Sequence, residues 1–173
     1  MRGRAVRVGS VVVALGLIGA LALRIDNLHT LRLGSATIHS PLVAEEFRLL
    51  MLVNDERNRA GLAPLQFSPR LLSAARAHSL DMAAHGYLGH DSPAGDTPSD
   101  RARAAGLNYD ELGENLYSEN LPDATSLPER VMATWMQNPA HRANLLSSSY
   151  RVSAVGMVHA ADGNYYVTED FIR

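Results

Sequence analysis

The stretch Leu112-Gly113-Glu114-Asn115-Leu116 places one carboxylate in a segment that otherwise consists of small and packing residues. Two further stretches, 88–92 and 138–142, each place one imidazole in a similar setting, at His90 and His141. Two imidazoles and one carboxylate can hold a divalent metal ion or move a proton. The sequence contains no cysteine, no glycine-rich phosphate loop and no Ser nucleophile elbow. The chemistry of this protein is therefore expected at these three stretches.

The composition is that of one globular domain with a leader. The chain has 173 residues, 46% of them hydrophobic and 20% charged, which is enough to bury a core without metals or disulfides. Residues 44–173 contain eleven Arg and seventeen acidic residues, so this part carries a net charge near −6 with neutral histidines. An acidic domain argues against nucleic acid as a partner. The absence of cysteine excludes disulfides, thiol catalysis and cysteine-type zinc sites.

The first 23 residues have the pattern of an export signal. Arg2, Arg4 and Arg7 precede an apolar run over 8–23, which is interrupted only by glycine and one serine. The run has 16 residues, which is short of the roughly 20 that a spanning helix needs. Its Ala20-Leu21-Ala22 segment has the spacing of a signal-peptidase site. An uncleaved anchor fits the same residues, whereas a buried core helix fits three preceding arginines less well.

We therefore divide the chain into a signal peptide or signal anchor (1–23), a linker (24–43) and a domain (44–173). The positive charge before the apolar run places the domain outside the cytoplasm. Export without cysteine is typical of a bacterial envelope or secreted protein that needs no disulfide framework. The protein is expected to be secreted, or attached to the membrane by an uncleaved N-terminal segment.

Two long helices are predicted at the start of the domain from capping residues and apolar spacing. The first follows Ser40-Pro41 and stops at Gly61, and the second follows Ser68-Pro69 and closes at Gly86. Their predicted inner faces are Phe47, Leu50, Met51 and Asn54 for the first helix, and Leu71, Ala75, His78 and Met82 for the second.

Three shorter helices are predicted further along the chain. One runs from Thr97-Pro98 to Gly106. Ser126 and Glu129 form a capping box for the next, and Asn138-Pro139 begins the last, which contains His141. The predicted inner face of the fourth helix is Val131 and Trp135.

Three segments are predicted to be strands. Residues 111–117 form a short strand, and residues 150–158 and 165–171 form a hairpin around Asp162-Gly163. The helices come first, a hairpin comes last, and no regular βαβ alternation is present. This order favours an α+β sandwich over a parallel-sheet fold.

Five motifs occur in order between residues 44 and 173. They are Leu52-Val53-Asn54-Asp55-Glu56-Arg57 with Gly61-Leu62-Ala63-Pro64-Leu65; Ala77-His78-Ser79-Leu80-Asp81-Met82; Gly89-His90; Gly113-Glu114-Asn115-Leu116; and Trp135 with Asn138-Pro139-Ala140-His141-Arg142-Ala143-Asn144. Gly156 and Tyr166-Val167 follow at the positions of two final strands. Together these motifs resemble a bacterial domain of the CAP superfamily, also called SCP-like. That superfamily includes the cysteine-rich secretory proteins, the antigen 5 allergens and the plant pathogenesis-related proteins.

The resemblance implies a three-layer α-β-α sandwich with a surface cavity lined by two histidines and two acids. His90 corresponds to the first histidine, Glu114 to the acid of the GEN motif and His141 to the second histidine. The second acid of the eukaryotic pattern falls at Asn138 here, which leaves a four-ligand cavity incomplete. Glu169 can supply the missing carboxylate if it faces the cavity.

The cavity residues have two interpretations. One is a divalent metal site, with Zn²⁺ as the cofactor held by His90, Glu114 and His141. The other is a hydrogen-bonded His–Glu–His cluster that orders the cavity without metal. His78 is interpreted as a core histidine. Ser92 is not interpreted as a nucleophile, because the sequence places no acid to orient a Ser92–His90 pair.

The family resemblance, the leader and the cavity residues together leave three functions open. The first is a monomeric, non-catalytic exported domain that binds a small apolar or lipid-like molecule, or an envelope protein. The second is a metal-dependent hydrolase that uses His90, Glu114 and His141, because two His and one Glu match one class of catalytic zinc site. The third is a structural module anchored at the membrane.

Overall fold

The computed structural model describes residues 42–173, together with the short paired strands β1 (Arg32–Leu33) and β2 (Ala36–Thr37). The predicted signal peptide or anchor over 1–23 and the predicted cap at Ser40-Pro41 lie outside the described residues. Within the part of the chain that is described, no helix has the length and apolar character needed to cross a membrane.

Five helices and a four-stranded sheet form the domain, so the predicted mixed helix-and-sheet class is confirmed. The elements are α1 (Val43–Arg59), β3 (Gln66–Phe67), α2 (Pro69–His85), α3 (Pro98–Ala104), β4 (Leu112–Asn120), α4 (Leu127–Gln137), α5 (Pro139–Leu145), β5 (Val152–His159) and β6 (Asn164–Ile172). β5 and β6 form the predicted hairpin, and Gly163 adopts the left-handed conformation in its turn, with φ 88°.

The sheet has the order β3-β5-β6-β4. β6 is antiparallel to both of its neighbours, and β3 pairs with β5 in parallel. In the register of β4 and β6, Glu114 pairs with Asp170 and Asn115 pairs with Glu169. Paired residues share a face of the sheet and successive residues alternate between faces. Glu114 and Asp170 therefore lie on one face, and Asn115 and Glu169 lie on the other.

Helices cover both faces. α2 packs on the face of Asp170, where its residues Leu71 and Met82 join two small apolar clusters with the sheet. α1 and α4 pack on the face of Glu169, around a large core that includes Val53, Trp135 and Phe171. The sheet is thus the middle layer between two layers of helices.

The contact of α2 with the sheet depends on Gly156. A Cβ atom at this position would collide with the backbone of Ala75 and Arg76 in α2. Ser79 Oγ lies 2.9 Å from the Gly156 carbonyl oxygen and 2.9 Å from Thr168 Oγ1. These contacts fix α2 against the sheet and thereby position the loop that follows it.

The helix predictions are confirmed for α2 and partly wrong for α1. The four predicted inner residues of α2 are buried, and Ser68 and Gly86 cap its ends. In α1, however, Phe47 is 44% exposed and Met51 is 66% exposed, while Leu49 and Val53 are buried. The reason is that α1 carries apolar residues on more than one side, so their spacing does not decide which side packs.

The predicted capping box at Ser126 is also wrong. The Ser126 side chain makes no capping hydrogen bond. Glu129 instead accepts a hydrogen bond from Arg48 Nε of α1 at 2.7 Å. An interhelical ion pair has therefore taken the carboxylate that the local motif would use. The predicted inner face of α4 is confirmed, because Val131 and Trp135 are both fully buried.

Candidate functional site

Glu114 is the centre of the predicted cavity. It lies in β4 with its side chain 2% exposed. Gly113 precedes it where a Cβ atom would collide with the Tyr150 hydroxyl group, so the glycine is needed for this close approach. The strand is also held from the side, because Asn144 Nδ2 of α5 donates to the Glu114 carbonyl oxygen at 3.2 Å.

His90 contacts Glu114 directly. It lies in the loop between α2 and α3, and its Nδ1 is 2.7 Å from Glu114 Oε1. The side chain is 57% exposed, so one part of the imidazole faces solvent. The hydrogen bond that His90 donates to Glu114 raises the pKa of His90 above its ordinary value, against the opposing effect of burial. The structure therefore brings together two of the three predicted site residues.

Arg101 occupies the other oxygen of Glu114, which the sequence analysis did not anticipate. Its Nη2 donates to Glu114 Oε2 at 2.6 Å, and its Nη1 donates to the Asp96 carbonyl oxygen at 3.1 Å. The side chain is 11% exposed. Arg101 lies in α3, whose start is fixed by a reciprocal capping box between Thr97 and Asp100. The capping motif in the sequence predicts that Arg101 lies on a helix, but it does not predict that the side chain points towards Glu114.

Asp170 is a second residue that sequence reasoning missed. It is buried opposite Glu114, and its Oδ1 has no hydrogen-bond donor among the described residues. Burial first, and then the negative charge of Glu114, raise the pKa of Asp170 well above its usual range. The only available signal was its position next to Glu169, which does not reveal the face on which each acid lies.

His78 lies beneath this cluster. It is fully buried, as predicted for a core histidine, and its Nε2 is 2.9 Å from the Gly89 carbonyl oxygen and 3.9 Å from Glu114 Oε2. Burial lowers the pKa of His78, with Glu114 opposing the shift. An Nε2–H group donating to Gly89 fits a neutral imidazole. His78 therefore orders the loop next to His90.

His141 lies beside the cluster without joining its hydrogen bonds. Asn138 caps α5 and accepts hydrogen bonds from the backbone of Ala140 and His141. Asn115 Nδ2 donates to the His141 carbonyl oxygen at 3.1 Å, so Asn115 has a structural role here. The ring packs edge-on against Trp135 with centroids 6.2 Å apart. Burial, and next the charge of His90, lower the pKa of His141.

Glu169 does not reach this cluster, so the condition under which it would replace the missing acid is not met. It is fully buried on the opposite face of the sheet, where its Oε1 accepts a hydrogen bond from Ser153 Oγ at 2.8 Å. Burial raises the pKa of Glu169 to about 8. The cause is the alternation of β6, which directs Asp170 rather than Glu169 towards Glu114.

The contacts of Glu114 decide how well a metal ion fits. Within the described residues, no three His, Asp or Glu side chains are grouped so that they could share one metal ion. Both Glu114 oxygens already accept hydrogen bonds, one from His90 and one from Arg101. As these contacts stand, the side chains do not fit a metal ion at Glu114. Zinc binding by His90, Glu114 and His141 therefore stays a prediction. A zinc ion would have to compete with the Arg101 guanidinium group for Glu114.

The same cluster has part of what general-base catalysis requires. Glu114 orients the His90 imidazole as carboxylates do in catalytic dyads. In residues 42–173, however, no hydroxyl group forms a hydrogen bond with His90, and the Ser92 hydroxyl accepts one from Asp96 N instead. The arrangement is thus an ordered His–Glu–Arg cluster without an attached nucleophile.

Comparison with known proteins agrees with the fold and the order of the motifs. The model of the cysteine-rich secretory protein family, CAP, matches residues 50–171. The chain is 35% identical over 121 residues to "Uncharacterized protein YkwD" of Bacillus subtilis (strain 168), covering 70% of this chain and 45% of that protein. The chain thus spans less than half the length of this curated relative.

Two solved structures are similar in fold. An extracellular protein containing a SCP domain from Bacillus anthracis is 27% identical with a TM-score of 0.64, and the match covers 75% of this chain and 40% of that one. An outer surface protein from Borrelia burgdorferi is 18% identical with a TM-score of 0.65, and the match covers 72% of this chain and 89% of that one.

Proposed function

This chain belongs to the cysteine-rich secretory protein family, CAP, and from that membership we propose that it is an exported, non-catalytic binding domain for a small apolar or lipid-like molecule. The observation that carries the proposal is an apolar groove between α1 and α4. The groove is separate from the His90–Glu114 cluster and is lined by different residues.

The groove has the chemistry of a site for an apolar ligand. Leu52 of α1 and Met132, Ala133 and Met136 of α4 line it, and Glu56 and Glu129 lie at its rim. Its volume is about 320 Å³, which is at the lower end of the range for small-molecule sites. Methionine side chains are flexible and polarisable, so they adapt to apolar ligands of different shape. The groove therefore suits an acyl chain or a sterol better than a charged substrate.

The proposed location rests on the leader and on one relative. The arginines and the apolar run of 1–23 favour export. The similar Bacillus anthracis structure is described as that of an extracellular protein. An exported domain with an apolar groove would meet its ligand in the cell envelope or outside the cell.

The proposal is tested by lipid binding to the full 173-residue chain. The purified protein is titrated with a fluorescent C16 fatty acid and, separately, with a fluorescent sterol. We expect saturable one-to-one binding of at least one probe. Leu52→Trp should fill the groove and Met136→Glu should place a charge at its lip, and each should weaken binding roughly tenfold, as expected when apolar contacts are lost or a charge is desolvated.

Two controls separate groove binding from general stickiness. Met51→Glu changes a residue next to Leu52 that is 66% exposed and does not line the groove. His90→Ala changes the other cluster. Both variants should bind the probes as the wild type does. Absence of saturable binding for both probes, or equal loss in Met51→Glu and Met136→Glu, would exclude the groove as the ligand site.

A further inference from the structure

We propose that Arg101 is a built-in cation for Glu114, and that its guanidinium group keeps divalent metal ions from binding at the cluster of His90 and Glu114. This proposal concerns a different site from the apolar groove, so it does not depend on the proposed function. It assigns a role to a residue that lies outside every motif of the sequence analysis.

A metal ion at this cluster would compete with His90 and Arg101 for the same oxygen atoms of Glu114. Glu114 accepts hydrogen bonds on Oε1 from His90 at 2.7 Å and on Oε2 from Arg101 at 2.6 Å. A zinc ion binds a carboxylate oxygen at about 2.0–2.2 Å. Zinc at either oxygen would displace one of these donors or lie close to the guanidinium group. Two cations so close to each other repel strongly where solvent is excluded.

Arg101 is held in place by contacts of its own. Its side chain is only 11% exposed, and its Nη1 donates to the Asp96 carbonyl oxygen at 3.1 Å. The capping box of Thr97 and Asp100 fixes the start of α3, one turn before Arg101. A metal ion would therefore have to disrupt buried contacts in order to reach Glu114 Oε2.

Arg101 places a positive charge beside two buried carboxyl groups. Glu114 and Asp170 are buried as a pair on one face of the sheet, and Asp170 Oδ1 has no hydrogen-bond donor among the described residues. Without Arg101, Glu114 Oε2 would lose its donor and its compensating positive charge, while Glu114 Oε1 would still lie next to His90 Nδ1. Carboxylate and imidazole groups are common ligands of divalent ions. Loss of the guanidinium group should therefore create affinity for a metal ion.

The experiment compares Zn²⁺ binding by isothermal titration to the full chain at about pH 7.4. Arg101→Gln should bind one zinc ion roughly tenfold or more tightly than the wild type, the size of effect typical of residues next to metal ligands. Adding His90→Ala to Arg101→Gln should abolish the gain. Arg103→Gln is the matched control, because Arg103 lies on the same helix with its side chain 68% exposed. Its zinc affinity should equal that of the wild type.

Two results would overturn the proposal. One is tight one-to-one zinc binding by the wild-type chain that weakens about tenfold or more in His90→Ala, a result that needs no Arg101 variant. The other is equal zinc affinity in the wild type and in folded Arg101→Gln. If Arg101→Gln does not fold, the double variant Arg101→Gln/Asp170→Asn is used instead. It removes the buried acid Asp170 together with the cation Arg101. This double variant should still bind zinc more tightly than the wild type, and equal affinity would count against the proposal.

Discussion

Asp170 lies directly opposite Glu114 in the register of β4 and β6, so two carboxyl groups are buried side by side on one face of the sheet. Arg101 donates to Glu114 but no donor reaches Asp170 Oδ1 among the described residues. Burial and the charge of Glu114 raise the pKa of Asp170. Asp170 therefore retains its proton at a pH where an exposed aspartate has lost its own.

The first prediction concerns Asp170→Asn. An unfolded aspartate has a pKa of about 3.9, whereas folded Asp170 keeps its proton to higher pH. Ionisation of Asp170 therefore destabilises the fold. The free energy of unfolding should thus fall as the pH rises above about 4, by up to about 1.4 kcal/mol per pH unit from this residue. Urea unfolding measured between about pH 4 and pH 7 should show that the free energy of unfolding depends less steeply on pH in Asp170→Asn than in the wild type. Asp110→Asn, which changes an exposed aspartate, serves as the control and should keep the wild-type slope.

The second prediction concerns Glu169→Gln. The pKa of Glu169 is raised to about 8 by burial, whereas an unfolded glutamate ionises near about 4.3. The native state therefore holds a proton that the unfolded state has lost between these values. Over this range the free energy of unfolding of the wild type should fall by about 1.4 kcal/mol per pH unit because of Glu169. This contribution should be absent in Glu169→Gln. The glutamine can still accept the hydrogen bond from Ser153. A variant with an unchanged pH dependence of unfolding would contradict this prediction.

The third prediction concerns the two cavity histidines. Nuclear magnetic resonance titration should give His90 a pKa above about 6.5 and His141 a pKa below it. Glu114→Gln should lower the pKa of His90, because the charged hydrogen-bond acceptor is lost. Since the shift of His90 is upward, its contribution to stability is present below about pH 6.5 and disappears as the pH rises through its folded value. A His90 pKa that Glu114→Gln leaves unchanged would mean that the two side chains do not interact in solution.

The fourth prediction concerns Gly156→Ala. The added methyl group would collide with the backbone of α2 at Ala75 and Arg76, which cannot rotate away as a side chain can. We expect a loss of about 3 kcal/mol in the free energy of unfolding, at the upper end for overpacked cores. Gly89→Ala is the control, because a methyl group there meets its neighbours only at ordinary contact distances. Chemical denaturation of both variants measures the difference.

Local signals predicted the fold well where one side of an element is clearly apolar. α2 has this character, with a serine cap at its start, Gly86 at its end and four buried residues on the predicted face. The β5–β6 hairpin was predicted from another local signal, its Asp162-Gly163 turn, because both faces of its strands are buried. α1 was harder, since Phe47 and Met51 are as apolar as the buried Leu49. Only the position of the sheet decides which side of α1 is covered.

The site was predictable in part for a related reason. His90 and Glu114 were identifiable because they belong to motifs, and the fold brings them within 2.7 Å of each other. Arg101 and Asp170 could not be found in this way, because their contacts with Glu114 depend on the direction of α3 and on the register of β6. A shift of one residue in that register would exchange Asp170 and Glu169 between the two faces.

The position of β6 has a consequence for when the protein can fold. β6 lies between β4 and β5, and β4 has no other neighbour in the described sheet. Glu114 therefore has no completed surroundings until residues 164–172 have been synthesised, about fifty positions later in the chain. Such long-range pairing delays folding. In a growing chain, the complete cluster at Glu114 would therefore form only after this last strand has been made.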